Sequence, residues 1–423
     1  MVQEGMDAMR INMSHGDYKE HGMKIELWRD IAPDRPIIAD LTGPSIRVVA
    51  DAPLSVSEGQ RVVIGEDFRL SKDISHAVIP GDTVLVDDGK VRLEVDSVSR
   101  GRIEAVVTVG GEIKPGKSVN VPGADVYNEL PTEKDMRDIK WALDNEVDLF
   151  FASFVSKPSD VLAVREFIRE QGSDAWVFAK IESAKGVENV ERILRVADGV
   201  VVARGDLGVE IPVESVPSVQ KRIIATARRV GRSVVVATQM LSSMVNSPFP
   251  TRAEVSDVAN AVFDGASALM VSNETAVGKY PVEVIRVLSR IILANQDDVV
   301  PVKDVLYEDD ADAIALSALH LADRMGAPAI VAPTSSGRTP RKLARFRPAQ
   351  RIVAVTADKK LLRRLHLVYG VDPRFCERPM AFSTFGSVVD SLRSEGILSD
   401  GDAVVCANVS SPDRSHTIRV VRA

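Results

Sequence analysis

A chain of 423 residues, 45% hydrophobic but only 5% aromatic, is long enough for about two or three domains built around aliphatic cores. Its formal net charge of −7 argues against a nucleic-acid or anionic-membrane footprint, and no run of ~18 apolar residues is present to span a bilayer. Cys376 and Cys406 are too few for a disulfide framework or a CxxC metal site and are expected to be reduced and buried; without a signal-peptide pattern at the N-terminus, a cytoplasmic location is expected.

In chain order, apolar runs that read as strands are "DAMRINM" (7–13), "PIIADL" (36–41), "LFFASFV" (149–155), "WVFAKIE" (176–182), "GVVVAR" (199–204), "SVVVATQM" (233–240) and "ALMVSNE" (268–274). Helical patterns separate them, and from the third onward they recur at roughly 25–35 residues, the rhythm of a (β/α)8 barrel. Seven are legible where a closed barrel needs eight, so the first strand is expected to be missing, and this form by itself to be poorly stable or poorly active. Residues 48–124 change texture to short alternating segments punctuated by Gly and Asp, predicting a small antiparallel β lid inserted into the barrel. From 308 to 423 the βα rhythm resumes as a C-terminal α/β domain, which leaves 1–47 and 125–307 to the barrel.

The apolar runs end in charges. "VFAKIES" (177–183) ends with Lys180 and Glu182, and "GVVVARGDLGVEIP" (199–212) carries Arg204 and Asp206. Side chains two apart on a strand share a side, so Lys180 and Glu182 are expected together, and Arg204 and Asp206 likewise if the strand runs that far. Polar groups at C-terminal strand ends gather at the mouth of a parallel barrel. Interlocking salt bridges that close the barrel top are the structural alternative, but buried ion pairs rarely repay their desolvation. The functional reading is a hard divalent cation, Mg²⁺ or Mn²⁺, on Glu182 and Asp206, with Lys180 as a fixed charge facing phosphoryl or enolate oxygens. Thr238, Ser272, Arg10, Asn12, Ser14, His15, Asp40 and Arg47 follow other strands and enlarge the constellation. "GEIKPGKS" (111–118) fits the P-loop spacing, yet "VNVPGADVYNELP" follows it with no helix to receive phosphates, so no P-loop is expected there.

Together "RINMSHG", "VDDG", "FASFV", "FAKIES", "DGVVVARGDLGVEIP", "ATQML", "PTRAEVSDVANAVFDGASALMVSNETAVGKYP" and "SSGRTPRKLARFRP" resemble pyruvate kinase, in that family's order and over nearly the whole chain. The resemblance implies a (β/α)8 barrel with an inserted lid and a C-terminal α/β domain, usually as a homotetramer. It implies phosphoryl transfer from phosphoenolpyruvate to ADP, giving pyruvate and ATP. Glu182 and Asp206 then match the divalent-metal ligands, and Lys180 the lysine that bridges the moving phosphoryl group and stabilises the enolate. Thr238 and Ser272 match hydroxyls near the substrate methylene; the N–H groups of Gly205 and Asp206 match the carboxylate cradle. Arg10 matches the arginine facing the phosphoryl group, while Arg47, His15 and Lys117 match nucleotide contacts.

Departures from the family's pattern carry expectations of their own. The monovalent-cation segment, usually D-T-K-G-P-E-I-R, reads "DLTGPSIR" (40–47) here. Asn12, Ser14, Asp40 and Leu41 remain as ligands, but Ser45 replaces the charge-balancing glutamate, so weak or absent K⁺ dependence is expected. "SNET" (272–275) stands in place of S-G-E-T, and Asn273 is expected to be tolerated at the edge of the site. "TSSGRT" (334–339) resembles the effector phosphate loop through Ser335, Ser336 and Arg338, yet "CANVSSPDRSHTIRV" (406–420) replaces the usual glycine-rich closing loop. Fructose 1,6-bisphosphate activation is therefore not expected. Two other readings compete: a Mg²⁺-dependent lyase of the citrate-lyase or aldolase type, and a degenerate homologue that binds metabolites without turnover.

Overall fold

The computed structural model describes residues 1–124, 126, 130–299, 307, 309–377, 382–408 and 416–423, with the backbone alone for 382–385. Seven parallel strands follow one another around one sheet: β1 (Met9–Asn12), β2 (Ile37–Asp40), β3 (Leu149–Ala152), β4 (Trp176–Ile181), β5 (Gly199–Ala203), β6 (Ser233–Ala237) and β7 (Ala268–Met270). Among the described residues, β1 pairs only with β2 and β7 only with β6, so the sheet is a barrel open along one seam. The strands are shorter than the apolar runs, and Glu182, Asp206, Thr238 and Ser272 lie just beyond their ends.

Burial on both faces explains why these strands read as continuous Val/Ala/Phe runs rather than as alternations. Every residue of β5 and β6 is buried. The period of two still sorts them: Ile37, Ala39, Val177, Ala179, Val200, Val202, Val234 and Val236 pack outward against the helices. Ile38, Phe151, Phe178, Val201 and Val235 fill the inside, with the Phe151 and Phe178 rings stacked at 5.8 Å. That inner cluster continues into the C-terminal domain through Ala315, Ile330 and Leu365.

Between β2 and β3 stands the lid. Its antiparallel sheet runs Arg61–Ile64, Arg102–Val109, Val91–Ser99, Thr83–Val86, Ser118–Asn120, Ile46–Val49, Arg69–Leu70, and an isolated bridge from Ile64 to Phe68 draws its two ends together. Ile46 and Arg47 pair with Val119 and Ser118, so the strand Ile46–Val49 belongs to this antiparallel sheet. Leu93, Val95, Ile103 and Val107 form its own small core. Gly111–Ile113 is itself a strand and the next element is Ser118–Asn120, so no helix follows Lys117; residues 125 and 127–129 of the stretch beyond lie outside the described residues.

Five strands make the C-terminal sheet: β8 (Ala329–Pro333), β9 (Arg351–Thr356), β10 (Val371–Phe375), β11 (Ala403–Asn408) and β12 (Thr417–Arg422), in the order β10-β9-β8-β11-β12 with only β12 antiparallel. The domain docks on the end of the barrel where strands begin. Arg363 donates to Asp148 Oδ1 at 2.6 Å just before β3, and Arg364 to Asp174 at 2.8 Å just before β4. Cys406 is buried and Cys376 only half-buried, since the latter follows edge strand β10; both are free thiols. No described helix is long and apolar enough to cross a membrane.

Candidate active site

Inward parity at the strand ends builds the centre. Lys180 and Glu182 continue the inward series of Phe178 along β4, Asp40 that of Ile38, and Ser153 that of Phe151. Lys180 Nζ lies 2.8 Å from Glu182 Oε1 and 3.2 Å from Asp40 Oδ1, and donates to Ser153 Oγ at 2.7 Å. Arg10, inward on β1, donates through Nε to Asp40 Oδ2 at 2.9 Å. Phe154 N donates to Glu182 Oε2 at 2.7 Å. Ser153 was absent from the residues read from sequence, although its place two after Phe151 was the available signal.

Electrostatics follow from this packing. Burial alone would depress the Lys180 ammonium, but Asp40 and Glu182 reverse it and hold its pKa above the usual lysine value. Asp40 is fully enclosed, which by itself would raise its pKa; Lys180 and Arg10 outweigh that and hold the carboxyl below its ordinary range. Glu182 is pushed up to about 7, first by burial and then by Asp206, against the pull of Lys180. Asp206 is raised as well, by burial and by Asp88 of the lid and Asp40, with Lys180 opposing. Glu182 Oε1 and Asp40 Oδ1 are buried with no hydrogen-bond donor aligned on them, though each is within ion-pair distance of Lys180.

Arg204 and Asp206 do not share a side. The strand stops at Ala203 and a helix, Arg204–Glu210, begins at once, so strand parity ends with it. Asp206 sits in the first turn of that helix and faces the lysine cluster, while Arg204 turns away to Asp257 at 2.6 Å. Thr238 departs from parity too. It would point outward with Val236, but Thr238 and Gln239 have φ of 69° and 54°, and the chain bends there. Thr238 Oγ1 accepts from Gly205 N at 2.8 Å and donates to Ala237 O at 2.6 Å. Ser272 directly precedes the short helix Asn273–Ala276; its N–H and that of Leu241 donate to buried Glu274, at 2.8 and 3.2 Å.

The remaining residues lie further out. Asn12 Oδ1 accepts from Ser14 N at 3.1 Å, Ser14 Oγ is 3.2 Å from Thr42 Oγ1, and Leu41 O accepts from Ser153 Oγ at 2.7 Å. Lys117 pairs with Asp87 at 2.9 Å inside the lid, Arg47 donates to Gly116 O at 2.9 Å, and His15 is exposed after β1. In the C-terminal domain Ser335 and Ser336 are exposed, and Arg338 pairs with Asp309. Residues 409–415 of the replaced closing loop lie outside the described residues.

Two carboxylates with raised pKa, one bearing an oxygen without an aligned donor and both beside a lysine, fit a hard divalent cation that needs only one or two protein carboxylates. Among the described residues no group of three or more His, Cys, Asp or Glu is placed to hold a metal, so water and substrate oxygens would complete the shell. The monovalent set fits less well, because the Asp40 charge is already neutralised by Arg10 and Lys180.

Comparison with known proteins agrees with this geometry. Residues 1–285 match the family model of the pyruvate kinase barrel domain, and 312–421 that of the pyruvate kinase alpha/beta domain. The chain is 38% identical to the pyruvate kinase of Thermotoga maritima, over all of this chain and 95% of the relative. It is 41% identical to that of Bacillus licheniformis, over 88% of this chain and 68% of the relative. It is 40% identical to that of Geobacillus stearothermophilus, over 96% and 73%.

Proposed function

The chain belongs to the pyruvate kinase family, and from that premise we propose how its own residues carry the family's reaction. It is a phosphotransferase: the phosphoryl group of phosphoenolpyruvate passes to ADP, giving pyruvate and ATP. The observation that carries the residue assignment is Lys180, held by Asp40, Glu182 and Ser153 at 2.7–3.2 Å on the inward face of the barrel mouth.

A loose phosphoryl-transfer transition state asks for positioning and cationic charge around the equatorial oxygens rather than for a protein nucleophile. Lys180 stays charged because Asp40 and Glu182 neutralise it, so its ammonium is available to the transferring group and then to the enolate oxygen. Arg10, braced on Asp40, faces the same space from β1. Glu182 and Asp206 would hold the divalent cation, which supplies Lewis-acid polarisation of phosphoryl and enolate oxygens when bound. The N–H groups of Gly205 and Asp206, in the first turn of their helix, are assigned to the substrate carboxylate. Thr238 and Ser272 are assigned to delivery of a proton to the enolate carbon. His15, Arg47 and Lys117 are assigned to ADP, Arg47 from a lid strand and Lys117 from the turn before another, and closure of the lid would exclude water.

The family generally uses a divalent cation and K⁺; for this chain we assign Mg²⁺ or Mn²⁺ to Glu182 and Asp206 and propose weak K⁺ dependence at Asn12, Ser14, Asp40 and Leu41. An effector role for Ser335, Ser336 and Arg338 is a further proposal, as are a homotetramer and a cytoplasmic location. Val213, Phe249 and Val277, exposed on the connections after β5, β6 and β7, are apolar surface available to a second copy. A coupled assay with phosphoenolpyruvate, ADP and Mg²⁺ tests the whole reading: pyruvate and ATP are expected in equal amounts, and absence of both with purified folded protein would overturn it.

A further inference from the structure

Arg204 turns its charge away from the lysine cluster. Its side chain is 9% exposed and its guanidinium reaches sideways from the first turn of the helix Arg204–Glu210. Nη1 donates to both carboxylate oxygens of Asp257, at 2.6 and 2.8 Å. Nη2 donates to Thr238 O at 2.7 Å and Gln239 O at 3.1 Å, and Nε donates to Thr238 O at 3.2 Å. The two carbonyls it grips belong to Thr238 and Gln239, consecutive residues with left-handed backbone, φ 69° and 54°. A β-branched residue in that region is a backbone outlier, held only where its surroundings over-determine it. Without the bend, Thr238 would follow Val236 outward, away from the barrel interior.

We propose that Arg204, braced by Asp257, is a positioning residue that holds the left-handed Thr238–Gln239 backbone and so keeps the Thr238 hydroxyl, itself held by the Gly205 N–H, presented to the substrate. The two ends of the clamp are tied a second time, since Gly205 N donates to Thr238 Oγ1 at 2.8 Å. A planar fork is suited to such a clamp, because its donors lie on three nitrogens and reach a carboxylate and two carbonyls at once, whereas an ammonium has all its donors on one nitrogen. The hydroxyl donates to Ala237 O at 2.6 Å, which leaves its second lone pair to orient a water. In the closing step the enolate carbon gains a C–H bond from that water while the enolate C–O becomes a carbonyl, and bulk water replaces the proton. The inference rests on the assignment of Thr238 to proton delivery.

The experiment compares two readouts in the full chain with Mg²⁺: ATP formation from phosphoenolpyruvate and ADP, and exchange of pyruvate methyl protons with D₂O followed by NMR. Arg204→Lys keeps the charge and loses the fork. It is expected to slow methyl exchange by about tenfold or more and ATP formation by less than about threefold, because Lys180 and Arg10 carry the phosphoryl step. In a Thr238→Ala background, Arg204→Lys is expected to add nothing further to the exchange defect. Asp257→Asn, on the more exposed side of the clamp, is expected to show the same imbalance at about threefold, and it decides the matter if Arg204→Lys does not fold. Wild-type exchange in folded Arg204→Lys, with Thr238→Ala impaired, would overturn the clamp alone. Equal loss of both activities tracking a lowered Tm, or effects of Arg204→Lys and Thr238→Ala that multiply, would overturn it too. Wild-type exchange in Thr238→Ala would overturn the assignment of Thr238, and the clamp as its positioner with it.

Discussion

Lys180 and Glu182 stand 2.8 Å apart, Nζ to Oε1, on the inward side at the end of one strand, with Asp40 at the end of β2 closing on the same ammonium at 3.2 Å. The lysine is compensated twice over before any substrate arrives, which keeps it charged in a place where burial alone would neutralise it.

Replacing Lys180 by Met should lower ATP formation by about a thousandfold or more, the scale of one preorganised charge at a developing oxyanion. Circular dichroism should show a folded protein that gains more Tm from Mg²⁺ than the parent does, since two buried carboxylates have lost their cation. ATP formed at the parental rate would end the assignment of Lys180.

Glu182 makes the metal-free protein pH-sensitive. Its folded pKa, about 7, lies above the ordinary glutamate value of 4.5, so the folded state binds the extra proton between them. This contribution to stability is complete below the ordinary glutamate value and is lost as pH rises through about 7. Asp40 has the opposite sign in a separate, more acidic window, because its depressed carboxyl loses stability only as pH falls. Thermal melts of chelator-treated protein should therefore show Glu182→Gln gaining on the parent between about pH 5 and 8; a gap that stays constant across that range counts against the raised pKa.

Turnover in K⁺-free buffer is expected to stay within about twofold of turnover in K⁺, because Arg10 and Lys180 already neutralise Asp40. A steep activation by K⁺, absent with Na⁺ at equal ionic strength, is the opposing result.

Lys117 should act on the nucleotide alone. It is paired with Asp87 in the lid at 2.9 Å and lies 41% exposed, so Lys117→Ala leaves no buried group stranded. The KM for ADP is expected to rise about tenfold while that for phosphoenolpyruvate changes by less than about twofold. A rise confined to phosphoenolpyruvate would move Lys117 out of the nucleotide site.

Asp148 ties the domains. Only 1% exposed, it receives Arg363 of the C-terminal domain at 2.6 Å, Arg29 at 2.8 Å and the Ile37 N–H at 2.9 Å. Asp148→Ala takes the carboxylate from the buried Arg363 and leaves the Ile37 N–H unpaired, and should cost about 3–5 kcal/mol in unfolding experiments. A loss below about 1 kcal/mol would mean that the apolar contact and the other polar ties, Arg364–Asp174 among them, hold the domains without Asp148.

Legible in the chain alone were the barrel strands, the antiparallel texture of the inserted segment and the same-side pair Lys180 and Glu182, whereas the closing of Asp40 on Lys180 came from the fold. Those readings rest on the two-residue period of a strand, a local property that survives without knowledge of any partner. The sequence also predicted that no helix follows Lys117. Tertiary structure alone decided what happens where the period stops. Arg204 turns away because a helix begins at the residue after Ala203, and Thr238 meets the Gly205 N–H because the chain bends through two positive-φ residues. Ser153 was placed by its contact with Lys180, and Asp88 reaches the field of Asp206 from a lid far away in the chain. Such bends and cross-domain charges depend on groups distant in sequence, a carbonyl gripped by one side chain or a carboxylate delivered by another domain, and no window along the chain contains both halves of the interaction.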